Sequence, residues 1–452
     1  MDNNTINKSS DKIDPIVPPP PKKFPTNLLI LFGAIAAIIL GLLAAIIALA
    51  VKNKKKEIKV VEKIVNNGTS QEPNITEYIK EIMGYMGYME PWYDVFGNKT
   101  TNISYAKNGK ITNTFKTSGE HYNQEIGNVN NGEDYEANNR SYYDLYIPYG
   151  VLQEKDKYHG VFLFIHGGSW VEGEKSDLEH FPSRFAKLGY IGATMGYTVL
   201  SDSYSNTNIY RIVDEISACI DSIIEELESN GLDRNKLKLA IGGVSAGAHL
   251  ALLYSYLIED PKLPIEFIIN IVGPISLEPK YWYKLAQNVT PLENIEKEVI
   301  EEAQKNKSLV KIFEEEDIWI NFMNYFLGKK YSENDLKEML DKNKCINETN
   351  EKYLQMYNNV KYAFPVELIK NTSRRIPLLC EYCGKDNLVG VAQYHYLKEL
   401  YEEQNGTIEM VYMIDAGHEQ FHYFQERSIE AMKKMHYKIT QFAKKYFNET
   451  NS

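Results

Sequence analysis

Leu237-Lys-Leu-Ala-Ile-Gly-Gly-Val-Ser245-Ala-Gly-Ala-His-Leu-Ala-Leu-Leu253 is the stretch on which the fold turns. It opens as an apolar run of strand length, passes through glycines, and continues as an apolar helix. Ser245 stands at the junction, inside Gly243-Val-Ser-Ala-Gly247. A bare G-x-S-x-G arises often by chance. The strand–turn–helix context makes it the sharp, strained turn on which a nucleophilic serine is presented, and small neighbours let the backbones pass closely. A helix N-terminus behind the serine favours negative charge on the reacting oxygen.

Three other segments supply what such a serine needs. His166-Gly167-Gly168-Ser169-Trp170 directly follows the apolar run Val161–Ile165. Small residues there let the N–H groups of Gly167 and Gly168 point into a pocket. With the N–H of Ala246 they form a candidate oxyanion hole. His166 precedes the serine turn and reads as a loop-fixing residue, not a base. Asp386 follows the run Pro377–Tyr382 by a glycine-containing turn, and His418 follows Glu409–Ile414. The chain order Ser245, Asp386, His418 is that of a nucleophile, an orienting carboxylate and a general base.

His418 also belongs to Asp415-Ala-Gly-His-Glu-Gln-Phe-His422, where His418-Glu419 and His422 fit the zinc pattern H-E-x-x-H. That chemistry needs both histidines on one helical face and a third ligand. Asp415-Ala-Gly417 interrupts the chain just before His418, and no third ligand stands out in the Lys-rich helix that follows. Zinc would also leave the HGGSW and GVSAG segments without a purpose. The preferred reading uses no metal and no organic cofactor, and a zinc metallopeptidase is the alternative it displaces.

From about Ser141 short apolar runs alternate with helical stretches. Strands are expected at Tyr142–Ile147, Gly160–Ile165, Tyr190–Met195, Leu237–Ile241, Phe267–Val272, Pro377–Tyr382 and Glu409–Ile414. Helices are expected at Ile209–Ser229, closed by Asn230-Gly231, and at Gln393–Glu403. The alternation predicts an α/β fold, a mostly parallel sheet with helices on both faces and catalytic loops at the strands' carboxyl ends. About 100 residues, 277–375, carry no strong strand and read as a helical cap insertion. Its Trp282, Trp319, Phe322, Tyr325 and Phe326 are expected to pack cap against core, or else to wall a substrate pocket.

Over residues 141–445 the sequence resembles α/β-hydrolases of the carboxylesterase and hormone-sensitive-lipase-like branch. Kynurenine formamidase and prenylcysteine methylesterase share the style of the HGGSW and GVSAGAHL blocks. The resemblance implies an α/β-hydrolase fold and carboxylic ester hydrolysis through an acyl-enzyme, with a small-molecule or lipid ester as substrate. Amide cleavage and acyl transfer would use the same triad. A catalytically inert ectodomain for protein binding on the same fold is the other alternative. Two positions depart from these relatives. Ser169 replaces the third glycine of HGGG, and Gly196-Tyr-Thr-Val-Leu200 stands where Asn-Tyr-Arg-Leu is common.

The 452-residue chain carries a formal net charge of -11 and is 43% hydrophobic, with no basic stripe in its C-terminal bulk, which argues against nucleic acid as a partner. Residues 1–27 are polar and proline-rich and read as a disordered tail. Residues 28–51, LLILFGAIAAIILGLLAAIIALAV, hold no charge and are long enough to cross a hydrocarbon core of roughly 30 Å, so a single transmembrane signal anchor is expected there. Residues 52–140 read as a stalk and irregular linker, and 446–452 as a tail.

Orientation is contested. Lys52, Lys54, Lys55, Lys56, Lys59 and Lys63 favour a cytoplasmic C-terminal side. Against them stand eleven N-x-S/T sites, at Asn67, Asn74, Asn98, Asn102, Asn139, Asn288, Asn306, Asn347, Asn371, Asn405 and Asn448. Composition alone gives about three or four. The excess favours a luminal or extracellular domain carrying N-linked glycans. Of the cysteines, Cys219, Cys345, Cys380 and Cys383, the last two have redox-motif spacing but end a strand instead of opening a helix. They are expected as structural thiols or in disulfides.

Overall fold

A computed structural model describes residues 96–113, 133–201, 207–278, 316–384, 386, 388–414, 416–418 and 426–448. The chain divides into two units, Met1–Ile82 and Met83–Ser452, and every described residue lies in the second. The expected anchor at 28–51 falls outside the described residues. Among those described, no helix is long and apolar enough to cross a membrane.

The strands are β1 Gly97–Ser104, β2 Lys110–Ile111, β3 Tyr135–Glu136, β4 Tyr142–Pro148, β5 His159–Ile165, β6 Ile191–Met195, β7 Leu237–Val244, β8 Ile265–Ile271, β9 Leu378–Cys383 and β10 Ile408–Met413. One sheet runs β1-β4-β6-β5-β7-β8-β9-β10, and β2 pairs with β3 apart from it. From β6 to β10 every pairing is parallel, while β1–β4 and β4–β6 are antiparallel. The strand order reverses at β5. Its two neighbours, β6 and β7, both follow it in sequence, so a crevice opens at the carboxyl ends of β5 and β7.

Alternation along the strands divides the core. Val161, Leu163 and Ile165 of β5 join one apolar cluster, and Phe162 and Phe164 join the other. The second face is covered by α1, His180–Lys187, and by a C-terminal helix, Glu426–Asn448. Its aromatic rings interlock, with Phe162 stacked on Phe185 at 4.4 Å and edge-on to Phe447 at 5.5 Å. Each such ring contributes about 1.5–3 kcal/mol by leaving water. The first face is covered by α2, Ile209–Ser229, by α3, Ala246–Leu257, and by further helices from the insertion. Asn208 caps α2 by accepting from the N–H groups of Tyr210 and Arg211 at 3.0 and 2.9 Å. Ile212, Ile216, Ile220, Ile223, Ile224 and Leu227 form its buried stripe.

The insertion between β8 and β9 is helical where described: α4 Glu316–Phe326, a short turn Glu333–Glu338, α5 Glu351–Val360 and α6 Pro365–Lys370. Trp319 and Phe326 are buried, and the Trp319 indole donates to the Leu277 carbonyl at 2.8 Å. These two aromatics pack cap to core. Phe322 is half-buried and Tyr325 exposed, and Trp282 lies outside the described residues.

One expectation needs correction. Residues 97–104 are not part of a linker. They form the edge strand β1, paired with β4 from Gly97 opposite Pro148 to Ser104 opposite Tyr142. Six of its eight side chains are exposed, so it lacks the apolar run that marks an inner strand. For the cysteines the structure takes the first of the two forms expected: all four are free thiols, three of them buried. Cys380 and Cys383 lie three apart on β9, so they face opposite sides of the sheet and belong to different core clusters. Burial pushes both thiols well above the ordinary range.

Candidate active site

Ser245 sits between β7 and α3 with φ 54° and ψ -119°. A non-glycine residue is rare there and persists only where its surroundings enforce it. Here the enforcement comes from both sides. The Ser245 N–H donates to the Ile271 carbonyl at 2.8 Å, and its own carbonyl accepts the His249 N–H at 3.1 Å. The flanking glycines permit the turn. A methyl carbon on Gly247 would lie 2.0 Å from the Ile165 carbonyl oxygen, and one on Gly243 would lie 2.4 Å from it.

That contact follows from sheet register. β5 pairs with β7 so that Ile165 faces Gly243. The HGGSW loop after β5 therefore lies beside the serine turn after β7. A methyl carbon on Gly167 would stand 3.3 Å from the Ser245 Cβ, which puts that backbone directly against the nucleophile. Ala246 opens α3, so its N–H has no partner within the helix. Of the three candidate oxyanion residues, Gly167 and Ala246 thus lie beside Ser245, and Gly168 is the next residue of the loop.

Asp386 and His418 arrive from the next pair of parallel strands. After β9 the Gly384 N–H donates to the Met413 carbonyl at 2.9 Å, tying the two strand-end turns together. One Asp386 oxygen accepts the N–H groups of Leu388 and Val389, each at 2.8 Å. The other lies 2.7 Å from His418 Nδ1. A carboxylate accepts, so Nδ1 carries the proton and Nε2 is left as an acceptor. Nε2 is 2.8 Å from Ser245 Oγ, whose hydroxyl therefore donates to it. The Asp386 side chain is fully buried and that of His418 is 10% exposed, so the carboxylate is withdrawn from water while the imidazole reaches the surface of the crevice.

Both nitrogens of His418 are engaged, one by Asp386 and one by Ser245. Of the zinc pattern at residues 418–422, Glu419 and His422 lie outside the described residues.

His166 is fully buried. Its Nδ1 lies 2.8 Å from the Gly167 carbonyl and its ring stacks on Tyr197 at 4.1 Å. The Tyr197 hydroxyl donates to the His166 carbonyl at 3.2 Å. Burial lowers the His166 pKa to about 4. Its contacts tie the ring to the loop backbone and to Tyr197.

Sequence patterns did not mark three further residues. Glu215, fully buried on α2, accepts from the Thr198 N–H at 2.6 Å, the Thr198 hydroxyl at 2.5 Å and Arg211 Nε at 3.1 Å. Thr198 stands at the arginine of the Asn-Tyr-Arg-Leu pattern, and the cation beside Glu215 is Arg211, one turn earlier on α2. Trp170 and His249 hydrogen-bond to each other beneath the HGGSW loop. The only sequence hint for His249 is its spacing, one helical turn after Ser245.

The BD-FAE family model matches residues 143–401, more than half of the chain. The chain belongs to the BD-FAE family. This places it among the esterase-like α/β-hydrolases, on the carboxylesterase branch. The BD-FAE match takes in Ser245 and Asp386 and ends before His418. No curated protein matches the chain in sequence. Among solved structures it is similar to vibralactone cyclase, at 15% identity and TM-score 0.50, over 85% of this chain and 92% of that one. It is similar to esterase B from Lactobacillus rhamnosis, at 14% identity and TM-score 0.47, over 82% and 94%. It is also similar to a truncated carbohydrate esterase from gut microbiota, at 13% and 0.47, over 78% and 99%. At these identities the first likeness concerns the fold alone.

The buried imidazoles make stability depend on pH. Burial lowers the pKa of His166 to about 4 and that of His249 to about 3. In the unfolded chain both sit near 6.5. Below that value the unfolded chain binds protons that the folded chain refuses, so stability drops as pH falls through the interval between the two states' pKa values. The urea midpoint is expected to fall steadily from about pH 7 to about pH 5. A flat midpoint over that range would mean that these histidines are not held neutral by burial.

Proposed function

We propose that this protein is a serine carboxylic ester hydrolase. The observation that carries the reading is the unbroken chain Asp386–His418–Ser245, with its 2.7 and 2.8 Å contacts. Ser245 Oγ attacks the ester carbonyl carbon while its proton passes to His418 Nε2. The carbonyl oxygen becomes an oxyanion and accepts from the N–H groups of Gly167, Gly168 and Ala246. Collapse of the tetrahedral intermediate breaks the bond to the alcohol oxygen, which takes the proton from His418. The acyl group remains on Ser245. Water then attacks, gives its proton to His418, and the carboxylic acid leaves as Ser245 recovers its hydrogen. Asp386 keeps its charge throughout and stabilises the imidazolium. The reading requires no metal or organic cofactor. It extends to amides and to acyl transfer wherever an amine leaves or an alcohol replaces water.

Ser245→Ala is expected to abolish labelling by a fluorophosphonate and to reduce ester turnover by at least about 10³-fold, with the thermal midpoint little changed. Asp386→Asn leaves the geometry in place but favours the wrong imidazole tautomer, and about a 10⁴-fold loss in kcat is expected. EDTA should leave both labelling and turnover of the parent protein unchanged. Wild-type turnover in Ser245→Ala, or turnover lost to EDTA, would contradict the assignment.

We further propose that the domain is held by one membrane span at 28–51 and lies in a lumen or outside the cell. Two features support this. The apolar run is free of charge, and the sequon asparagines with described burial, Asn98, Asn102, Asn139, Asn347, Asn371 and Asn405, are all exposed. Several asparagines outside sequons, Asn208, Asn270, Asn324 and Asn359, are instead buried. Protein isolated from its own membranes should shift to lower mass on treatment with a peptide-N-glycosidase. An unshifted band, with the domain protected from added protease in intact cells but digested in sealed microsomes, would place it in the cytoplasm.

A further inference from the structure

Three consecutive residues of the HGGSW loop lie in the left-handed region: Gly168 at φ 103°, Ser169 at 50° and Trp170 at 63°. Glycine takes that conformation freely, whereas serine and tryptophan do not. Something must hold them, because the same backbone carries candidate oxyanion donors. The main chain supplies part of the restraint. The N–H groups of Val171 and Glu172 donate to the Gly168 carbonyl at 2.9 and 3.0 Å, and the Leu200 N–H donates to the Trp170 carbonyl at 2.8 Å.

The rest comes from a side-chain bridge. Trp170 is 5% exposed, and its indole N–H donates to His249 Nδ1 at 3.3 Å. With Nδ1 accepting, Nε2 carries the proton, and it donates to the Ala363 carbonyl at 2.8 Å. His249 is fully buried in α3, and its N–H closes the first helical turn on the Ser245 carbonyl. Phe326 of the insertion packs edge-on against the Trp170 ring at 4.9 Å. One imidazole therefore touches the nucleophile's helix, the oxyanion loop and the insertion. Burial lowers its pKa to about 3, so the acceptor at Nδ1 persists at neutral pH.

We propose that His249 is a positioning residue: by bridging Trp170 to Ala363 it holds the HGGSW backbone with the Gly167 and Gly168 N–H groups aimed at the substrate oxyanion, and so couples the insertion to the rate of acyl transfer. This rests on the reading of Ser245 as nucleophile. The bridge acts through Trp170 and never touches substrate. Its loss is felt in the transition state, where negative charge gathers on the oxygen, and hardly in ground-state binding.

The test uses the full chain and two single variants, Trp170→Phe and His249→Leu, with their double. Active sites are titrated with a phosphonate so that kcat is expressed per reactive Ser245. Each single variant is expected to lose about tenfold in kcat, the loss that one transition-state hydrogen bond commands, with KM within about twofold of the parent. The double variant should be no slower than either single by more than about twofold, since both remove the same bridge. Trp170→Phe keeps the buried ring and tests the bridge even if His249→Leu fails to fold. A lower thermal midpoint with kcat per titrated site at the parent value would make the bridge merely structural and overturn the proposal. A parent protein that does not titrate at all would instead remove the nucleophile assignment, and this inference with it.

Discussion

The close approach of the Ile165 carbonyl to Gly243 and Gly247 is the constraint on which the site depends. Parallel pairing of β5 with β7 puts the end of one strand against the turn that ends the other. A side chain at either glycine would occupy the space of that carbonyl oxygen. Because nothing intervenes, the chain leaves both strands at the same level. The HGGSW loop and Ser245 then share one crevice at the point where strand order reverses. The strained φ of Ser245 is a consequence: the residue is fixed from behind by the Ile271 carbonyl and from ahead by the first turn of α3.

The same principle operates one pair of strands away. β9 and β10 also run parallel, and their end turns are joined by the Gly384–Met413 hydrogen bond. Asp386 and His418 are 32 residues apart in sequence, yet they meet because each follows its strand by only a few residues. The carboxylate is buried and satisfied by two backbone N–H groups as well as the imidazole. A buried carboxylate so fully hydrogen-bonded keeps its position, which an orienting group requires. The site is thus assembled from the ends of β5, β7, β9 and β10. The interlocked phenylalanines on one face and the α2 and α3 helices on the other hold those strands in place.

Much of this was legible in the sequence. The inner strands carry continuous apolar runs, and their expected bounds differ from the observed ones by a few residues at most. Helix α2 begins and ends where its apolar stripe and its Asn208 cap require. Ser245, Asp386 and His418 were recognisable because each follows such a strand through small residues. The less legible parts share a physical cause, which is that they depend on partners distant in sequence. β1 is an edge strand whose exposed side chains carry no apolar pattern, and only its pairing with β4 reveals it. The Arg211–Glu215–Thr198 network and the Trp170–His249 bridge use ordinary residue types. The octapeptide ending in His422 is ambiguous as a pattern, and the partners of the His418 ring, Asp386 and Ser245, lie 32 and 173 residues away in sequence.

The most direct measurement is the crystal structure of the protein inhibited by an alkyl phosphonate, whose tetrahedral phosphorus imitates the acyl-transfer intermediate. The account predicts a covalent bond from phosphorus to Ser245 Oγ. It also predicts the phosphoryl oxygen within about 2.7–3.1 Å of the N–H groups of Gly167, Gly168 and Ala246, with the Asp386–His418 contact unbroken. A phosphoryl oxygen turned towards solvent, or an adduct on any other residue, would contradict it.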